Sequence, residues 1–77
     1  MFRIEDKYII EIAKQKSFSK AAEKLYIAQP SLSRYIINLE DKLGIKIFDR
    51  SKSPIEITEA GEKLIEYIYK FRELEEE

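Results

Sequence analysis

Leu32, Ile36, Leu39 and Leu43 recur at steps of four, three and four, and the run ends at Gly44. Beyond that glycine the step becomes two: Ile45 and Ile47, then Ile55 and Ile57, alternate around the polar, proline-containing centre from Arg50 to Pro54. Steps of three and four put side chains on one face of a helix, and steps of two put them on one face of a strand. A chain that changes step at a glycine leaves a helix there, and this one is expected to enter a two-stranded hairpin with an exposed tip.

The flanking segments extend this reading. In "FRIEDKYIIEIAKQK", Phe2 to Lys16, Tyr8, Ile9, Ile12 and Ala13 share a helical stripe that Ile4 and Ile10 widen. Ser17 or Ser19 caps a short second helix, "KAAEKL", whose Ala22 and Leu25 face inward. "YIA" makes a tight turn, and a third helix starts at Gln29 or Pro30. Thr58, with acids after it and then Leu64, Ile68 and Phe71 at coiled-coil-like spacing, begins a fourth. The Ile, Leu and Phe positions are assigned to the core. Two short helices joined by a three-residue turn make a helix-turn-helix, and the hairpin after it supplies a wing. The predicted architecture is mainly α: a winged helix-turn-helix with a three-helix core and a two-stranded β-hairpin wing over 1–57, then a long C-terminal linker and dimerisation helix over 58–77.

Composition removes most other functions. The 77 residues include no cysteine and no histidine, which excludes disulfide frameworks, Cys/His zinc sites, thiol nucleophiles and imidazole acid/base chemistry. Carboxylate pairs such as Glu40/Asp41 and Glu73/Glu75 come with no Gly-rich phosphate loop and no activated nucleophile. An enzyme, a metal site and a cofactor are therefore not expected. No apolar run reaches the roughly 18 residues of a membrane span, and "MFRIEDKY" lacks the apolar stretch of a signal peptide, so a cytoplasmic protein with no membrane partner is expected. The net charge of −1 hides an asymmetry: from Lys14 to Lys52 nine Lys/Arg face four acids, whereas from Glu56 to Glu77 three face eight. A basic block joined to an acidic tail suits a polyanion on one side only, although two solvated faces would read alike.

The stretch "AQPSLSRY", Ala28 to Tyr35, carries the most specific chemistry. Proline is tolerated in a first helical turn, where its missing N–H would have had no partner, so Pro30 marks a helix start. That end of a helix offers free backbone donors and the positive pole of the macrodipole to a phosphate. Ser31 and Ser33 keep the face low enough for a major groove about 12 Å wide, while Gln29 and Arg34 carry hydrogen-bonding forks suited to adenine and guanine edges.

Ser17-Phe18, Ala21-Ala22, Leu25, Gln29-Pro30, Leu32-Ser33-Arg34, Ile36, Leu39-Glu40, Leu43-Gly44, Phe48, Arg50 and Thr58-Glu59-Ala60-Gly61 form an ordered set. With them the chain resembles, nearly end to end, the N-terminal DNA-binding domain of LysR-type transcriptional regulators. The resemblance implies a homodimer on double-stranded DNA with a roughly palindromic operator. It also implies a C-terminal ligand-sensing domain that these residues do not include, through which alone a small-molecule inducer would act. Carried over, the base-reading positions fall on Gln29, Pro30, Ser33 and Arg34, with Ser31 and Tyr35 beside them and Asn38 one turn on. The wing falls on Arg50 to Ser53, and phosphate contacts on Ser17, Ser19, Lys20, Arg50 and Lys52. Three residues depart from the pattern: Ala28 where Ser or Thr usually caps, Tyr26 where a turn favours Gly or Asn, and Ser53 where a basic residue is common.

Several of these residues have a second reading. Gln29 and Pro30 serve equally as a plain helix start, and Asn38 as a solvated residue. Arg34 could pair with Glu40 or Asp41, Arg50 with Asp49 or Glu40, and Tyr35 could pack on the hairpin or stack on a sugar. The stripe Leu64, Ile68 and Phe71, with Ile57, Ala60, Ile65, Tyr67 and Leu74 around it, is too wide for a small core and predicts dimerisation; packing on a further domain is its alternative. The competing function is a winged protein-interaction module that dimerises with a full-length regulator without binding DNA.

Overall fold

The computed structural model describes residues 3–76, with side chains described as far as Phe71; Phe2 and the side chains of Glu73, Leu74 and Glu75 lie outside the described residues. The elements in order are α1 (Ile4–Gln15), α2 (Phe18–Leu25), α3 (Gln29–Leu43), β1 (Phe48–Asp49), β2 (Glu56–Ile57) and α4 (Glu59–Glu76).

Each helix starts and stops for a local reason. At the head of α1 the Asp6 carboxylate accepts a hydrogen bond from the Arg3 N–H at 3.3 Å, and Glu5 and Asp6 lie against the positive pole. Ser17, not Ser19, caps α2, its hydroxyl accepting from the Lys20 N–H at 3.1 Å. Ala28 precedes α3 with extended backbone and no side-chain cap, and Pro30 sits in the first turn. Three left-handed residues end the first three helices: Lys16 (φ 53°), Tyr26 (φ 59°) and Gly44 (φ 72°). Only the glycine adopts this conformation without cost.

The hairpin is shorter than the alternation predicts. Each strand has two residues, paired antiparallel as Phe48 with Ile57 and Asp49 with Glu56. Ile45 and Ile47 precede β1, and their N–H groups have partners outside the hairpin: Ile45 donates to the Glu40 carbonyl at 3.2 Å and Ile47 to a Glu40 carboxylate oxygen at 2.7 Å, which also accepts from Phe48 at 3.3 Å. Ile47 is fully buried all the same.

Thr58 fastens the start of α4. Its hydroxyl accepts from the Gly61 N–H at 2.9 Å and donates to the Lys46 carbonyl, and its own N–H donates to the Ile47 carbonyl at 3.0 Å. Gly61 is buried so closely against Ile47 that a Cβ would run into that carbonyl oxygen.

The core gathers Ile9, Ile12, Ala21, Leu32, Ile36, Ile47, Phe48 and Ile68, with Phe18 edge-to-face on Phe48. Not every apolar residue joins it: Ile4, Ile37, Leu43 and Phe71 are each more than two-fifths exposed, which corrects their assignment to the core. On α3 the inward row advances by fours, Leu32, Ile36, Glu40, so the carboxylate takes the inner place and Leu43 swings outward. The architecture is the mainly α winged helix-turn-helix that the apolar spacing implies.

Candidate nucleic-acid interface

The outward side of α3 divides into adjacent rows. Gln29, Ser33 and Ile37 follow one another at steps of four; with Pro30 and Arg34 they line a shallow groove on the wing side. Pro30, Arg34 and Asn38 form the next row, and with Ser31 and Tyr35 they line a second groove. Gln29, Pro30, Ser31, Arg34 and Asn38 are exposed, whereas Ser33 and Tyr35 are half-buried.

Two of the alternatives for these residues fail. Arg34 pairs with neither Glu40, which faces inward, nor Asp41; among the described residues its guanidinium has no ion-pair or hydrogen-bond partner. Tyr35 does not pack on the hairpin. It turns to α1, where its hydroxyl donates to Glu5 at 3.0 Å and its ring meets Tyr8 edge-on with centroids 5.0 Å apart. Burial first, then the hydrogen bond to Glu5 and the charge it carries, push the Tyr35 pKa above the usual phenol value.

Arg50 does form the ion pair with Glu40, at 3.8 Å, and not with Asp49. The same guanidinium donates to the Ser33 hydroxyl at 2.9 Å and lies 4.1 Å above the centre of the Phe18 ring. Asp49 instead accepts from the Ser51 hydroxyl and, at 3.0 Å, from its N–H, bonds that hold its carboxyl below the usual carboxylate range. Ser51, Lys52 and Ser53 are exposed at the wing tip, and the Lys52 ammonium is 3.9 Å from Glu56. At the start of α2, Ser19 and Lys20 are exposed, and the capping hydroxyl of Ser17 keeps its own proton free to donate.

Sequence reasoning named Glu40 as a partner for Arg50 but missed its burial, and it missed the exposure of Ile37. A signal for Glu40 was present, since it stands four residues after Ile36 on the inward row. The closing helix needs a correction too. Of Leu64, Ile68 and Phe71, Ile68 belongs to the domain's own core, Leu64 is half-buried and Phe71 is exposed. Phe71 stacks on exposed Tyr67 with centroids 6.4 Å apart, and both border an apolar groove that Leu39, Leu43 and Leu64 continue.

Residues 7–62 match the family described as bacterial regulatory helix-turn-helix protein, lysR family. The chain belongs to that family. This LysR-family domain is 44% identical over 64 residues to the HTH-type transcriptional regulator BenM of Acinetobacter baylyi, covering 83% of this chain and 21% of BenM. It is 51% identical over 59 residues to the uncharacterized HTH-type transcriptional regulator YcgK of Bacillus subtilis, covering 77% of this chain and 18% of YcgK. The chain thus spans about one fifth of the length of these curated relatives. Among solved structures it resembles the BenM DNA-binding domain in complex with benA site 1 DNA, with TM-score 0.87, 38% identity and coverage of 99% of this chain and 85% of that one. It also resembles Vibrio fischeri DarR in complex with DNA, with TM-score 0.81, 35% identity and coverage of 97% and 27%. Among the described residues no helix is long and apolar enough to cross a membrane.

Proposed function

We propose that this LysR-family domain binds double-stranded DNA sequence-specifically, with α3 in the major groove and the wing against the backbone or minor groove. The observation that carries the reading is the first half of α3, where Gln29, Pro30 and Arg34 are exposed side by side and the Arg34 fork has no partner among the described residues. The likeness to BenM and DarR domains solved with DNA supports it. In this reading Gln29, Pro30, Ser33 and Arg34 face base edges, with Ser31, Tyr35 and Asn38 at their border. Ser17, Ser19 and Lys20 at the head of α2, and Arg50, Lys52 and Ser53 of the wing, approach the sugar-phosphate chains.

Residues 1–57 form the reading unit, and α4 joins two copies. Tyr67 and Phe71, exposed and stacked, support an apolar contact between protomers in which Leu64 takes part at the edge. A two-fold pair presents its reading helices to a roughly palindromic operator whose half-sites lie about 34 Å apart or a multiple of that. The role is regulatory and not catalytic, and it is exercised in the cytoplasm. Response to a small molecule belongs to the remainder of a full-length regulator.

Selection of binding sites from random duplexes tests the reading directly: a symmetric enriched site is expected, with log affinity falling against log salt by about 0.9 for each phosphate contacted. Self-association without any affinity for DNA at low salt would overturn it and leave the protein-interaction module in its place.

A further inference from the structure

The reading face of α3 carries one large apolar side chain. Ile37 is 43% exposed, continues the row of Gln29 and Ser33, and lines the same groove as Gln29, Pro30, Ser33 and Arg34. Its other side borders the cleft toward the wing, with Phe48, Arg50 and Thr58. The row therefore offers three different heads in succession: the exposed amide of Gln29, the Ser33 hydroxyl already bonded to Arg50, and a branched hydrocarbon. A step of four residues advances about 6 Å along the helix axis, close to two base-pair rises of about 3.4 Å, so Ile37 comes opposite a base pair beyond the one that Ser33 faces. A hydrocarbon has no hydrogen bond to offer a base edge. In the major groove the apolar group that distinguishes one base from the others is the C5 methyl of thymine.

We infer that Ile37 is a specificity-determining residue that packs against a thymine methyl group in each operator half-site. The inference rests on the DNA-binding reading above. It accounts for a branched aliphatic residue kept in solvent on a row that is otherwise polar, because both hydrocarbon surfaces leave water when the groove closes over them.

The test takes the duplex enriched by the unaltered chain and replaces its thymines one at a time with deoxyuridine, which removes only the methyl. At one thymine per half-site the unaltered protein should bind about fourfold more weakly, the worth of one buried methyl group. Ile37→Ala should bind the thymine and uracil duplexes equally, and Ile37→Val should retain the discrimination. Thymine discrimination that is identical in Ile37→Ala and the unaltered chain at every position would overturn the inference while leaving DNA binding intact. Failure to enrich any duplex would overturn both. Residue 37 is exposed, so an unchanged melting temperature identifies the loss as one of recognition.

Discussion

Arg50 of the wing donates a hydrogen bond to the hydroxyl of Ser33 on the reading helix, at 2.9 Å. The guanidinium that makes this bond lies 3.8 Å from Glu40 and 4.1 Å over Phe18, so one side chain ties the wing to α3 and to α2. The wing is thereby set relative to the reading helix before any ligand arrives. Lysine could not replace this arrangement, because a single ammonium lacks both the planar fork and the flat face that stacks on the ring.

Glu40 holds the other end of that arrangement. Its carboxylate is 3% exposed and accepts the N–H groups of Ile47 and Phe48. Glu40→Ala leaves both donors buried without an acceptor and should cost about 3 kcal/mol. Glu40→Gln keeps an acceptor oxygen and should cost less. Urea denaturation of the two variants checks the order; equal stability of Glu40→Ala and the unaltered chain would contradict the account.

Gly61→Ala is expected to destabilise by about 2 kcal/mol, because the added methyl meets a backbone carbonyl and not a movable side-chain end. The measurement is the shift of the thermal midpoint.

Two substitutions in the turn before α3 should raise stability. Tyr26 is 94% exposed and left-handed, so Tyr26→Gly removes backbone strain of about 1 kcal/mol without loss of packing. Ala28→Ser supplies the missing cap, a gain of about 1 kcal/mol. Each should raise the melting temperature by about 5 °C.

Tyr35 makes stability sensitive to alkali. Its pKa is raised in the folded chain above the ordinary 10.0, so the fold favours the neutral phenol. That contribution is complete below pH 10.0 and disappears as pH climbs through the folded value. Tyr35→Phe should lose about 1 kcal/mol near neutrality by losing the bond to Glu5. It should also show a shallower alkaline decline than the unaltered chain, as followed by denaturation at a series of pH values.

Arg34 and Lys20 should fail differently. Arg34→Ala is expected to relax preference at one base position at a cost of about 1–3 kcal/mol, and Lys20→Ala to weaken every duplex alike and reduce the salt slope by about 1. Binding to a panel of single-base variants separates the two; identical loss from both on every duplex would remove the distinction between base and phosphate contacts.

Much of this molecule could be read before it was seen, and the parts that could not share a cause. The inward row through Leu32 and Ile36, the stop at Gly44, and the caps at Ser17 and Thr58 depend on neighbours within a turn or two, and the structure has each of them. The common exposed face of Gln29, Pro30, Arg34 and Asn38 follows from helical period alone. The burial of Glu40 escaped notice because the N–H groups it accepts from lie seven and eight residues away, in a segment whose alternation suggested a longer strand. The positions of Arg50 and Tyr35 depended on partners 17 and 30 residues distant, which spacing cannot rank. Ile37 looked like core because residue type, and not its place on the helix, governed the assignment.

α4 is a rod of 18 residues, about 27 Å long, seated on the core through Ile68 and clamped at its root by Thr58 to the stretch that enters the wing. Any pull on the far end of such a rod arrives at the entry to the hairpin, and because Arg50 and Glu40 fasten that hairpin to α3, wing and reading helix answer it as one body.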